Sequence, residues 1–172
     1  DWTDPQLNTA TAWGFFSVAN GKSAQTQGLE LELQGNLTDN LHYVMGYAYV
    51  KAELTSDFYV PSAVWADSPT RLQAKDGAEL PTTPSNTFSL SVDYTYEMEN
   101  EMYWVTQVNS YYQSDSLNYL GDSEKLQATI DSFSIVNAST RLNTEHWDLT
   151  LYIKNIFNED GVTGKLPEGY MG

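Results

Sequence analysis

The chain of 172 residues contains no cysteine, which excludes a disulfide framework and thiolate chemistry. It also lacks any apolar run of about 18 residues, so a transmembrane helix is excluded. Lysine and arginine are scarce, since 8 basic residues stand against 23 acidic ones and the formal net charge is -15. A nucleic-acid-binding surface must neutralise phosphates. The balance therefore argues against nucleic acid as a partner and favours a well-solvated acidic surface.

Patterns typical of catalytic or metal sites are sparse as well. The sequence has neither a glycine-rich phosphate loop nor a nucleophile elbow. Glu30 and Glu32 would lie about 7 Å apart on one side of a strand, which superficially suits acid–base work, but a polar wall explains them better. His42 and His146 have no companions to complete a metal set. We therefore expect no enzyme, no catalytic residue, no metal site and no cofactor.

The dominant pattern is strict alternation of apolar and polar residues, clearest in residues 27–50 and repeated in residues 87–96, 102–112 and 136–154. Successive side chains of a strand point to opposite faces, so the pattern predicts strands with one apolar and one polar face. In a membrane barrel the apolar set is predicted to face lipid, and it consists of Leu29, Leu31, Leu33, Phe88, Leu90, Val92, Leu149, Leu151 and Ile153. The polar set is predicted to face the lumen, and it consists of Glu30, Glu32, Gln34, Asp93, Asn109, Arg141 and Lys154.

The connections between these strands alternate in length, and this order decides between the two fold classes that alternation allows. Strictly alternating lengths place every tight turn at one end of the strands and every elaborate loop at the other, as in outer-membrane barrels. A soluble carbohydrate-binding β-sandwich, the alternative, mixes its connection lengths. The short polar turns are residues 35–40, 97–101 and 143–146, and the long connections are 9–21, 55–85 and 113–131.

Strand length and aromatic positions agree with a membrane barrel. Runs of ten or more residues match the roughly 9–11 that a tilted strand needs to cross a bilayer. Amphipathic rings are selected at both bilayer interfaces, and here they fall into two groups. Tyr43, Tyr94, Tyr96, Trp104 and Trp147 lie near the short turns, and Tyr47, Tyr49, Tyr111 and Tyr112 lie toward the long connections.

Three segments resemble TonB-dependent outer-membrane receptors. Residues 20–41, NGKSAQTQGLELELQGNLTDNL, are similar to a hallmark strand pair of that family. Residues 77–95 resemble a long extracellular loop re-entering the membrane, and residues 132–160 resemble a late hairpin ending in K-N-I-F-N, although Ser85 and Asn86 depart from the common pattern. The resemblance implies an all-β fold, an antiparallel transmembrane β-barrel section of about six to seven strands from a 22-strand barrel, with short periplasmic turns and long extracellular loops.

The resemblance also implies a function and partners. Residues 1–172 are interpreted as the C-terminal section of a receptor in a Gram-negative outer membrane, with the N-terminal plug domain and the remaining strands absent. Implied partners are outer-membrane lipid, the plug, the TonB–ExbB–ExbD complex acting through the plug, and a small-molecule ligand. The expected solute is an iron–siderophore complex, with oligosaccharide or cobalamin as alternatives, and a passive porin-like barrel is a further alternative. Arg141 and Lys154 would neutralise lumen acids or contact the plug.

Ligand contacts, if they fall in this section, are expected on the long loops. Exposed aromatic side chains can stack on sugar rings or on iron chelates, but they can equally pack loop against loop. The loops offer few bases, namely Lys22, Arg71 and Lys75, which weakens the case for an anionic chelate. The candidate ligand-binding residues are Trp13, Phe15, Phe16, Phe58, Tyr59 and Trp65.

Overall fold

A computed structural model describes residues 1–10, 16–61, 70–99, 101–120 and 128–165, and in them the chain is all-β. No helix of the described residues is long and apolar enough to cross a membrane. The strands are β1 (Trp2–Thr3), β2 (Gln6–Ala10), β3 (Phe16–Asn20), β4 (Ser23–Thr38), β5 (Leu41–Leu54), β6 (Phe58–Pro61), β7 (Thr70–Ala74), β8 (Asn86–Glu97), β9 (Tyr103–Gln113), β10 (Ser116–Leu117), β11 (Thr129–Ile130), β12 (Phe133–Asn143) and β13 (Asp148–Ile153).

Seven of these strands form one antiparallel sheet in the order β1-β4-β5-β8-β9-β12-β13, which we call the wall. Its long strands are joined alternately by short turns, at residues 39–40, 98–102 and 144–147, and by long connections. This confirms the predicted alternation of connection lengths. Within the described residues the sheet is open, with β1 at one edge and β13 at the other.

The pairing register shows that each predicted set of wall residues shares one face. Leu31 pairs with Tyr47, and Tyr47 pairs in turn with Phe88. One residue further along β4, Glu32 pairs with Gly46. Directly paired residues of antiparallel strands point to the same side, so the wall has an apolar face that contains Leu31 and a polar face that contains Glu32. The register thus agrees with the predicted separation of the two sets, and their assignment to lipid and lumen stays a prediction.

The long connections carry three small hairpins, which the alternation pattern did not reveal. They are β2–β3, β6–β7 and β10–β11, and we call them together the lid. β1 and β2 are separate strands, because Asp4 has a φ of 52° and Pro5 has no N–H for the ladder. Trp13, Phe15 and Trp65 lie outside the described residues.

The buried apolar core lies where the lid meets the wall. Ala24, Ala52 and Leu54 contribute from β4 and β5, and by the period of two they share the polar face with Glu30 and Glu32. The lid therefore packs over the polar side of the wall, at the end opposite the short turns. The buried cluster consists of Leu7, Ala24, Ala52, Leu54, Phe58, Val60, Leu80 and Leu120.

Candidate functional site: a polar sheet face and a groove in its lid

The polar face of the wall is recessed along the middle of its strands. A depression of about 520 Å³ lies there, with Glu30 and Glu32 on one side and Tyr111 on the other. Between them the wall carries Gly46, Ala48, Ser89 and other small side chains. A Cβ on Gly46 would come within 2.8 Å of the Ser89 hydroxyl oxygen, so even an alanine would have to displace that hydroxyl. The small residues thus keep the polar face hollow along the neighbouring strands β5 and β8.

Charged side chains on the polar face have local partners. His42 Nδ1 lies 3.6 Å from the Asp93 carboxylate on the adjacent strand. The register places His42 directly opposite Asp93. The Lys154 ammonium lies 5.7 Å from the centre of the Tyr152 ring, which is a cation–π contact.

A second depression of about 520 Å³ opens between the first two hairpins of the lid, and we call it the groove. Phe58, which is buried, forms part of its lining, and the side chain of Tyr59 is half exposed beside it. Asn20 and Lys22 approach from the β3–β4 junction, whereas Asp57 and Asp76 approach from the two ends of the β6–β7 hairpin. Amide, ammonium, carboxylate and phenol groups therefore face one space.

The groove is ordered by hydrogen bonds at its margin. The Asp57 carboxylate accepts from the Asp76 backbone N–H at 3.1 Å and from the Tyr59 hydroxyl at 3.4 Å. Beside it, the Thr55 hydroxyl donates to Ser23 Oγ at 2.8 Å, and the Ser23 hydroxyl donates to Ser56 Oγ at 3.1 Å. These contacts fix the Asp57 side chain and bind the β5–β6 turn to the start of β4.

An ion pair between Lys51 and Glu53 lies at the junction of wall and lid, after Tyr49 in β5. The Glu53 carboxylate accepts a hydrogen bond from Gln25 Nε2 at 2.8 Å and lies 2.8 Å from Lys51 Nζ. The hydrogen bond from Lys51, followed by that from Gln25, lowers the pKa of Glu53. The same contact with Glu53 raises the pKa of Lys51. Both shifts arise from favourable contacts of the charged forms.

The predicted ligand-binding residues occupy different positions. Phe58 is 1% exposed and packs in the core, whereas Tyr59 is 51% exposed and borders the groove. Phe16 begins β3, where its backbone pairs with Ala10. Sequence reasoning did not single out Asp57 or Asp76 as site residues, because they are separated along the chain and only the β6–β7 pairing brings them together.

The two-faced wall and its loop architecture agree with a comparison of the sequence with protein families. The family model described as TonB dependent receptor-like, beta-barrel matches residues 1–156. The chain belongs to this family. The TonB-dependent receptors are a family of transporters of the outer membrane and not a family of enzymes. No curated protein and no solved structure matches the chain.

Proposed function

We propose that residues 1–172 are the C-terminal section of a receptor that imports a scarce solute across a Gram-negative outer membrane by TonB-dependent transport. The observation that carries this proposal is the segregation of the wall into an apolar face and a recessed polar face within one antiparallel sheet. A strand that separates lipid from an aqueous interior requires this segregation along its whole length.

In this proposal the apolar face contacts outer-membrane lipid and the polar face lines the lumen. Leu31 and Leu151 are 57% and 62% exposed, which fits a surface that lipid tails would cover. The plug domain, supplied by the rest of the protein, would fill the lumen. The TonB–ExbB–ExbD complex would act on that plug, and the lid would stand at the extracellular mouth.

The first candidate solute is an iron–siderophore complex, which rests on membership of the family. A neutral oligosaccharide is the second candidate, and the groove supports it. Tyr59 offers a half-exposed ring for stacking on a sugar. Asp57, Asp76 and Asn20 offer acceptors for sugar hydroxyls, and Lys22 offers donors. Two carboxylates in the same groove would repel an anionic chelate.

The transport proposal is tested by uptake in cells that express the full-length receptor. Uptake of the bound solute should stop when TonB is depleted and return when TonB is restored. Uptake that persists at the same rate without TonB would establish a passive porin-like barrel instead. A panel of iron–siderophore complexes and neutral oligosaccharides identifies the solute through calorimetric binding to the purified receptor in detergent.

The two solute classes are separated by a pair of tyrosine variants. If oligosaccharide binds in the groove, Tyr59→Ala should weaken its binding about tenfold through loss of ring stacking. Tyr94→Ala is the matched control, because Tyr94 is also exposed but lies on the wall near a short turn. Equal affinity in wild type and Tyr59→Ala would remove the groove as the oligosaccharide site.

A further inference from the structure

Three hairpins that are far apart in the sequence meet at one residue of the lid. Leu120, which lies between β10 and β11, is completely buried. Its carbonyl oxygen accepts a hydrogen bond from the Thr9 hydroxyl of β2 at 3.0 Å. The same oxygen accepts a second hydrogen bond from Gln73 Nε2 of β7 at 2.8 Å. Each of the three hairpins therefore supplies one group to the same contact.

The junction is sheltered from water. Thr9 and Gln73 are 0% and 2% exposed. A carbonyl oxygen has two lone pairs, and the two donors occupy both. If one hairpin separated from the others, a buried donor would lose its partner, and the remaining contact would open to water. The backbone reinforces the link, because Thr9 and Leu120 also form a parallel β-bridge.

The connections between lid and wall contain residues with positive φ. Asp4, with a φ of 52°, interrupts the ladder between β1 and β2. Gly77, with a φ of 83°, lies where the chain leaves β7 for the wall, and a positive φ of this kind favours glycine. Both positions are held by backbone hydrogen bonds. The Asp4 N–H donates to the Lys22 carbonyl at 3.2 Å, and the Gly77 N–H donates to the Leu54 carbonyl of the wall at 2.9 Å, so an opening of the lid that moves these positions has to break such bonds as well.

We propose that the three hairpins form one cooperative lid over the polar face, with the Leu120 carbonyl as their common junction. No hairpin opens alone, because β2–β3 and β6–β7 are each joined to the segment between β10 and β11 by a buried hydrogen bond to the Leu120 carbonyl. Access to the recessed polar face from the lid end then depends on one shared opening equilibrium. Three independent loops would open separately.

Hydrogen exchange followed by mass spectrometry on the full-length receptor in detergent tests the proposal. Thr9→Val removes the hydroxyl donor and keeps the side-chain shape. We expect amide exchange to accelerate about tenfold in β6–β7 and β10–β11 as well as in β2–β3. Exchange in the central wall strands β8 and β9 should not change. Acceleration confined to β2–β3, or spread equally into the wall, would overturn the proposal.

Two further variants keep the test decisive if Thr9→Val perturbs packing. Thr9→Ser retains the hydroxyl and should restore protection in all three hairpins. If Thr9→Ser exchanges as fast as Thr9→Val, the hydroxyl is not the link and the proposal fails. Thr70→Val is the matched control, since it makes the same chemical change at an exposed threonine of β7. It should leave exchange in the other two hairpins at the wild-type rate.

Discussion

The wall and the lid place their apolar side chains in opposite directions. On the wall, Leu31 and Leu151 project outward and are largely exposed. In the lid, Phe58 and Leu120 are enclosed by other parts of the chain. The lid thus encloses its apolar side chains in a core that it shares with the ends of β4 and β5, whereas the rest of the wall holds together by backbone pairing and leaves its apolar face exposed. The same chain therefore buries apolar side chains in one region and presents them to its surroundings in another.

The wall and the lid also differ in how their threonine hydroxyls are hydrogen-bonded. Thr106 and Thr140 lie opposite each other on that face, and their hydroxyl oxygens are 3.0 Å apart. A hydroxyl on an apolar face is costly without a partner, and here each threonine hydroxyl has the other as its partner across the strands. In the lid, the hydroxyl of Thr9 is satisfied by a loop carbonyl instead.

The largest expected effect comes from emptying the core of the lid. Phe58→Ala removes a ring that is 1% exposed, which should cost about 3–5 kcal/mol of lid stability. Limited proteolysis of the full-length receptor measures the effect as faster cleavage in the lid, while the wall resists. Tyr59→Ala, a neighbouring exposed ring, should change cleavage little. Similar cleavage in both variants would mean that the buried ring of Phe58 does not stabilise the lid.

A charge on the apolar face of the wall should have the next largest effect. In the proposed orientation, Leu31→Arg places a cation near the middle of the bilayer and should cost about 2–4 kcal/mol of folding free energy. Glu32→Arg, one position along the same strand, places that cation on the polar face and should be nearly neutral. Urea titration of the full-length receptor in lipid vesicles measures both. Equal tolerance at the two positions would refute the assignment of the faces.

The smallest expected effect is the pH dependence of stability that arises from Glu53 and Lys51 at the junction of wall and lid. Because the folded pKa of Glu53 is below its ordinary value of 4.5, its stabilising contribution is present above that value and is lost as pH falls through the folded pKa. The pKa of Lys51 is raised above 10.5, so its contribution is present below 10.5 and is lost as pH rises through the folded pKa.

Thermal unfolding of the receptor at acidic pH measures the contribution of Glu53. Glu53→Gln should reduce the acid-induced loss of stability by a small amount, because the Lys51 side chain is exposed and surface pairs are weak. Glu97→Gln, an exposed change at the end of β8, serves as the control. If both variants have the wild-type pH profile, the contact between Lys51 and Glu53 adds no measurable stability.

The faces of the wall were predictable from sequence because their signal is local. A period of two along residues 29–34 assigns each side chain to a side whatever the distant chain does. The alternation of short and long connections also predicted at which end of the strands the long loops lie. The pairing of His42 with Asp93 was not predictable in the same way, because it depends on the register between β5 and β8.

The lid and its groove were largely beyond sequence reasoning. Phe58 and Tyr59 are adjacent aromatic residues with the same local pattern, yet one is buried and the other is half exposed. Their difference arises from segments such as Leu7 and Leu120, which lie far away in the chain. Lys22, Asp57 and Asp76 converge only after two hairpins have formed.

The carbonyl of Leu120 also bears on the order in which the chain folds. Its bond to Thr9 spans 111 positions and its bond to Gln73 spans 47, whereas the short turns of the wall join neighbouring strands. Closing longer loops costs more chain entropy and slows contact formation. We therefore expect the hairpins of the wall to form first, one after another, and the contact at Leu120 to form last.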